Sequence, residues 1–167
     1  VHHQMKEMVN NLYNHPSIAF WGMWNELDTW GNNNDLQGPL DAERVVKETE
    51  RLYNYTKKLD PDRFVGFTDC SNLSRDGYTS LKGDFCSQNL YYGWYRTPNE
   101  FSGFTTTLKK VRGLRSDIPI NVSEYGVGVN PYCHVWNPVE AIRDKDEDSK
   151  HYEEYGNRFH ESHVRQI

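Results

Sequence analysis

Two glutamates in this sequence stand where strands should end. Phe20-Trp21-Gly22-Met23-Trp24 is an apolar run that stops on Asn25-Glu26, and Pro119-Ile120-Asn121-Val122-Ser123 runs into Glu124-Tyr125-Gly126. A short continuous hydrophobic segment reads as a strand buried on both faces of a parallel sheet. Each carboxylate then falls at the C-terminal end of its strand, where parallel α/β folds, barrels above all, collect their catalytic side chains. Two carboxyl groups delivered by separate strands can serve as a general acid and a base or nucleophile. They are 124 − 26 = 98 residues apart, so only the fold can bring them together.

The elements that must position them can be taken in order. Met5, Met8, Val9, Leu12 and Tyr13 make one helical stripe, stopped by Asn14-His15-Pro16. The strand to Glu26 follows, then a polar loop from Leu27 to Pro39. Asp41 is the expected N-cap of a long helix whose buried face carries Val45, Thr49, Leu52, Thr56 and Leu59. Phe64–Thr68 is the next strand, and Phe85–Leu90 a third that empties into Tyr91-Tyr92-Gly93-Trp94-Tyr95. Thr97-Pro98-Asn99-Glu100 reads as a capping box opening a helix with Phe101, Phe104, Thr105, Leu108 and Val111 on one face. Pro119–Ser123 is the fourth strand. A long loop to Lys150, holding Trp136 and the charged run Arg143–Asp148, precedes a last amphipathic segment with Tyr152, Tyr155 and Phe159.

Strands alternating with helices predict parallel pairing through right-handed crossovers. Neither G-x-G-x-x-G nor a P-loop is present to suggest an open nucleotide-binding sheet. The expected fold is therefore α/β: a partial TIM (β/α)8 barrel with parallel strands, residues 1–167 forming a single segment of it.

Composition narrows the function. The 167 residues carry a formal net charge of −5 with scattered Lys and Arg, which is no nucleic-acid footprint, and no apolar stretch is long enough to span a membrane. Aromatic residues at 14% suit a sugar-binding cleft or a large aromatic core. Cys70, Cys86 and Cys133 match no disulfide or metal spacing and read as buried or incidental thiols. His160 and His163 are three apart but find no third ligand, so no metal site is expected and a solvated helix surface is.

Three motifs then coincide. His15–Glu26, HPSIAFWGMWNE, resembles the acid/base segment of glycoside hydrolase family 2, in which Asn-Glu ends the fourth barrel strand. Asn89–Tyr95, NLYYGWY, is similar to the aromatic motif after that family's sixth strand, and Ile120–Gly128, INVSEYGVG, resembles its nucleophile segment at the end of the seventh. The resemblance implies a piece of a longer chain, lacking the first three strands and the eighth and inactive in isolation. Its partners would be a carbohydrate substrate, the rest of its own barrel and accessory β-domains, with no nucleic acid or membrane. It implies no required cofactor and admits a magnesium or sodium ion in the full-length enzyme. The compartment stays open between periplasmic, secreted and cytoplasmic.

By the same resemblance Glu26 is the acid/base and Glu124 the nucleophile of a retaining exo-β-glycosidase; nothing in the sequence physics chooses between them. In such enzymes the carboxyl groups lie ~5–5.5 Å apart. At an effective dielectric of ~20 two ionised carboxylates at that distance repel by roughly 3 kcal/mol, so one proton is retained. Tyr91 would donate a hydrogen bond to the nucleophile and Asn25 would hold the sugar 2-hydroxyl, with Asn89, Trp94 and Trp136 at the subsite or its wall. The sugar reading is β-galactosidase first, since Tyr152–His163, YEEYGNRFHESH, also resembles the helix of bacterial members of that group. The alternative is β-glucuronidase, whose uronate-gripping Asn-x-Lys element would lie beyond this chain. A catalytically silent carbohydrate-binding segment ranks below both, because it predicts loss of a carboxylate and both are present.

Overall fold

The computed structural model describes residues 1–26, 42–70, 77–95, 100–137 and 152–166. Among them the chain runs α1 (His2–Leu12), β1 (Phe20–Asn25), α2 (Ala42–Leu59), β2 (Phe64–Asp69), a 3₁₀ turn (Tyr78–Ser80), β3 (Phe85–Asn89), α3 (Gly103–Leu114), β4 (Ile120–Glu124) and α4 (Glu153–Val164). One four-stranded sheet has the order β1-β2-β3-β4, and the β1–β2 and β2–β3 pairs are parallel. Helices join β1 to β2 and β3 to β4, and a 3₁₀ turn lies between β2 and β3; consecutive strands as sheet neighbours are the winding of a barrel segment. The residues fall into two compact units, Val1–Asn89 with Val111–Ser123, and Leu90–Lys110 with Glu124–Ile167.

In the first unit the helices cover one face of the sheet. Met5 and Val9 of α1 and Val45 and Leu52 of α2 pack in one cluster with Trp21, Met23, Val65, Phe67, Cys86 and Val111. The α2 stripe is buried as its 3.6-residue period requires, and its two threonines are satisfied within the helix: Thr49 Oγ1 donates to Val46 O at 2.9 Å and Thr56 Oγ1 to Leu52 O at 2.8 Å. Asp60 closes the helix. It is 2% exposed and accepts from Trp21 Nε1 and Arg63 Nη1, while Arg63 reaches on to the carbonyls of Ile18 and Tyr13. That clamp ties the end of α2 to the start of β1. The first strand is buried on one face only: Phe20 and its register partner Phe64 are 51% and 66% exposed. The expectation of burial on both faces fails for the described residues because their helices cover a single side.

The second unit is aromatic. Trp94, Phe101, Tyr155 and Phe159 form its core. Gly93 has φ 91°, and a Cβ there would lie 2.5 Å from the Phe101 ring, so left-handed backbone and close packing both demand glycine. With Phe101 drawn onto Gly93, α3 begins at Gly103 and not at the capping box; Thr97, Pro98 and Asn99 lie outside the described residues, as do Asp41 and Arg143–Asp148. On α4, Tyr155, Phe159 and His163 share one buried stripe. His163 is fully buried, stacked 4.0 Å from the Phe159 ring, which corrects the expected solvated surface; spacing of four residues from Phe159 turns it inward. None of the three cysteines forms a disulfide, and Cys86 is buried.

Candidate active site

Local backbone irregularity aims the first carboxylate. The β1–β2 register runs Phe20↔Phe64 and Gly22↔Gly66 but then Asn25↔Thr68, so three residues of β1 advance against two of β2. Such a bulge re-aims the side chains beyond it. It turns Asn25 to the sheet face that carries Thr68, Ser87 and, two residues on, Asn89. Glu26 follows with φ 50°, the left-handed region that glutamate seldom adopts, and its N–H donates to Thr68 O at 3.0 Å. An outlier of this kind is held by its surroundings and is common at functional sites.

Asn89 holds the carboxylate. Its Nδ2 donates to Glu26 Oε1 at 2.6 Å and to Asn25 Oδ1 at 3.1 Å, while Ser123 Oγ donates to Asn89 Oδ1 at 2.6 Å. Asn89 is 1% exposed. One layer below, Asn121 Nδ2 reaches Ser87 Oγ at 3.2 Å, so β3 and β4 are stitched side chain to side chain on this face. Sequence reasoning placed Asn89 at the sugar subsite and passed over Ser123. The signal was the alternation of Asn121 and Ser123 along β4, which puts both on one face.

The second carboxylate has its own support in the second unit. Tyr91 Oη donates to Glu124 Oε2 at 2.6 Å, and Leu90 N–H donates to Glu124 O at 2.8 Å. A turn closed by Trp94 N–H on Tyr91 O presents the phenol, and the Tyr91 ring meets Tyr95 edge-on at 5.0 Å. Trp94 lies in the aromatic core beside Tyr155, whose hydroxyl donates to Gly93 O. Trp136 is fully exposed, at the end of a segment tied to α4 by Glu153 N–H on Cys133 O and Val135 N–H on Glu154 Oε2. The structure thus gathers Asn25, Glu26 and Asn89 in one cluster and Tyr91 with Glu124 in another. Among the described residues no group of three or more His, Cys, Asp or Glu is disposed to hold a metal ion.

The family model described as glycosyl hydrolases family 2, TIM barrel domain, matches residues 1–166. The chain belongs to this family. Among curated relatives of this glycosyl hydrolase family 2 chain, a β-glucuronidase from Bacteroides fragilis is 35% identical over 130 residues, 77% of this chain and 16% of its own length. The β-glucuronidase of Sus scrofa is 31% identical over 91 residues, 54% of this chain and 12% of its own. The chain thus spans about a sixth or less of these two relatives. Among solved structures, Bacteroides uniformis β-glucuronidase 2 covalently bound to cyclophellitol-6-carboxylate aziridine superposes with TM-score 0.78 at 27% identity, covering 99% of this chain and 19% of that one. An FMN-binding β-glucuronidase from Faecalibacterium prausnitzii L2-6 gives 0.76 at 29%, over 99% and 23%.

Proposed function

We propose that this segment carries both catalytic carboxylates of a retaining exo-β-glucuronidase. The β-galactosidase reading of the sequence gives way to its alternative, because the similar curated relatives carry the β-glucuronidase name. The observation that carries the catalytic assignment is that each carboxylate ends a strand with a side-chain donor at 2.6 Å: Asn89 on Glu26 and Tyr91 on Glu124.

The residues act in a double displacement. Glu124 attacks the anomeric carbon while Glu26 protonates the departing oxygen; Glu26 then takes a proton from water as that water opens the glycosyl ester. The Tyr91 hydroxyl steadies Glu124 and aims one oxygen. Asn25, with its Oδ1 engaged by Asn89, turns its Nδ2 donor towards the sugar 2-hydroxyl, a contact that strengthens in the oxocarbenium-like transition state. Trp136 offers an aromatic wall to the sugar or its aglycone.

Nitrophenyl β-glucuronide, β-galactoside and β-mannoside assayed on the complete protein test the sugar: turnover of the glucuronide well above the other two is expected, and preference for the galactoside refutes the substrate class. Cyclophellitol-6-carboxylate aziridine tests the nucleophile. Peptide mapping should find the adduct on Glu124, and an adduct elsewhere refutes that role.

A further inference from the structure

We propose that Asn89 is the positioning residue of the general acid, an amide braced by Ser123 that holds Glu26 and assigns its catalytic proton to Oε2. The inference rests on the reading of Glu26 as the acid.

A planar amide is directional. If its oxygen faced Asn25 Oδ1 and Glu26 Oε1, three acceptors would crowd together; with Ser123 Oγ–H on Oδ1, both N–H groups point at the two oxygens they reach. Asn25 Oδ1 and the Glu26 carboxylate therefore set the sense of the amide, Ser123 braces it from the Oδ1 side, and the amide sets the carboxyl. Glu26 is on left-handed backbone at a strand end, and a 2.6 Å contact from a buried side chain is a substantial restraint on its rotamer.

The same contact decides where the proton sits. A proton on Oε1 would face the amide N–H at 2.6 Å, donor against donor, so the neutral acid carries its proton on Oε2. In the first half-reaction that proton passes to the glycosidic oxygen as the bond from the anomeric carbon to that oxygen breaks, the electron pair leaves with the aglycone, and Glu26 becomes a carboxylate. Throughout, Nδ2–H stays on Oε1, first on a carbonyl oxygen and then on a charged one. Hydrogen bonds to ionised acceptors are roughly twice as strong as neutral ones. The bond thus tightens as the proton departs, a gain realised in the transition state and not in the ground state. Asn89 consequently matters most where the leaving group needs protonation.

The experiment compares phenyl β-glucuronide, which needs the acid, with 2,4-dinitrophenyl β-glucuronide, which does not, on the complete protein. Asn89→Ala should lower kcat/KM for the phenyl substrate about 10- to 100-fold, the size of one charge-assisted hydrogen bond, and for the dinitrophenyl substrate less than about threefold. Ser123→Ala should show the same asymmetry at about two- to tenfold, with Ser123→Thr restoring it. Equal losses on both substrates, or no loss on the phenyl one, overturn the proposal; should Asn89→Ala not fold, Ser123→Ala decides by the same criterion. Glu26→Ala runs alongside. If it shows the leaving-group asymmetry and azide rescue while Asn89→Ala is flat, only the positioning role falls; if Glu26→Ala is itself flat, the acid assignment falls and takes this one with it.

Discussion

Asp60 offers the sharpest test of how the first unit is held. Its carboxylate is 2% exposed and accepts four donors: Trp21 Nε1 at 2.9 Å, Arg63 Nη1 at 2.7 Å, and the N–H groups of Asp62 and Arg63 at 3.3 Å each. Asp60→Ala leaves the indole N–H of Trp21, itself 2% exposed, without an acceptor, at about 1–3 kcal/mol. Arg63 also loses its partner, but its side chain is 21% exposed and keeps the Ile18 and Tyr13 carbonyls, which limits that part. The sum is about 3–5 kcal/mol, the range for breaking a buried pair from one side. Asp60→Asn keeps an oxygen for the indole and should cost about 1–2 kcal/mol. The described residues fall into two compact units, so a single melting curve averages over both, and hydrogen exchange of peptides from α1, β1 and the end of α2 is the better assay. For Asp60→Ala these should exchange about 10²- to 10⁴-fold faster. A change below tenfold refutes the clamp. Burial pushes the Asp60 carboxyl up, but the Trp21 and Arg63 hydrogen bonds outweigh it and hold it below the usual carboxylate value. A lowered folded value means stability that is present above the unfolded pKa of about 3.9 and lost as pH falls through the folded one. The gap between wild type and Asp60→Asn should therefore stay level from pH 8 to 5 and close only in stronger acid.

Tyr91→Phe removes the 2.6 Å hydrogen bond on Glu124, and kcat/KM on a nitrophenyl β-glucuronide should fall about 10- to 100-fold; a loss under threefold would mean the phenol is only packing. Gly93→Ala places a Cβ on left-handed backbone 2.5 Å from Phe101, and should lower the stability of the second unit by about 2–4 kcal/mol, read as faster hydrogen exchange of peptides from α3 and α4. Burial pushes the His163 imidazole below its ordinary value, so its contribution to stability is present above pH 6.5 and is lost as pH falls through the lowered value. The pH dependence of hydrogen-exchange protection in α4 between about pH 7.5 and 5, corrected for the intrinsic exchange rate, should flatten in His163→Phe, and an unchanged slope would show that the ring does not resist protonation.

Much of this could be read from residue order because periodicity survives folding. The α2 stripe from Val45 to Thr56 lies buried as a 3.6-residue repeat requires, and each expected strand is found within two residues of its place. The strand-end positions of Glu26 and Glu124 were legible because each apolar run stops on a charged group. The bulge before Asn25 was not, since register belongs to a pair of strands and β1 alone carries no record of how β2 advances beside it. Nor were the contacts of Asn89: an amide has no periodic signature, and its partners Glu26, just past β1, and Ser123 of β4 are 63 and 34 residues away. His163 was misread for the opposite reason. Its type suggested water or metal, while its spacing from Phe159 marked it as part of the packed stripe.

At Glu26 selection for turnover and selection for durability pull apart. A φ of 50° suits glycine or asparagine, and a residue with a longer side chain forgoes about 1–2 kcal/mol to sit there. A library of variants sorted by melting temperature alone would drift towards Gly or Asn at this position, rewarding proteins that are sturdier and lack the carboxyl proposed above as the proton donor. Any search for a heat-resistant form of the complete protein has to screen for product, because the most tempting stabilising change lies on the residue proposed above to supply the acid.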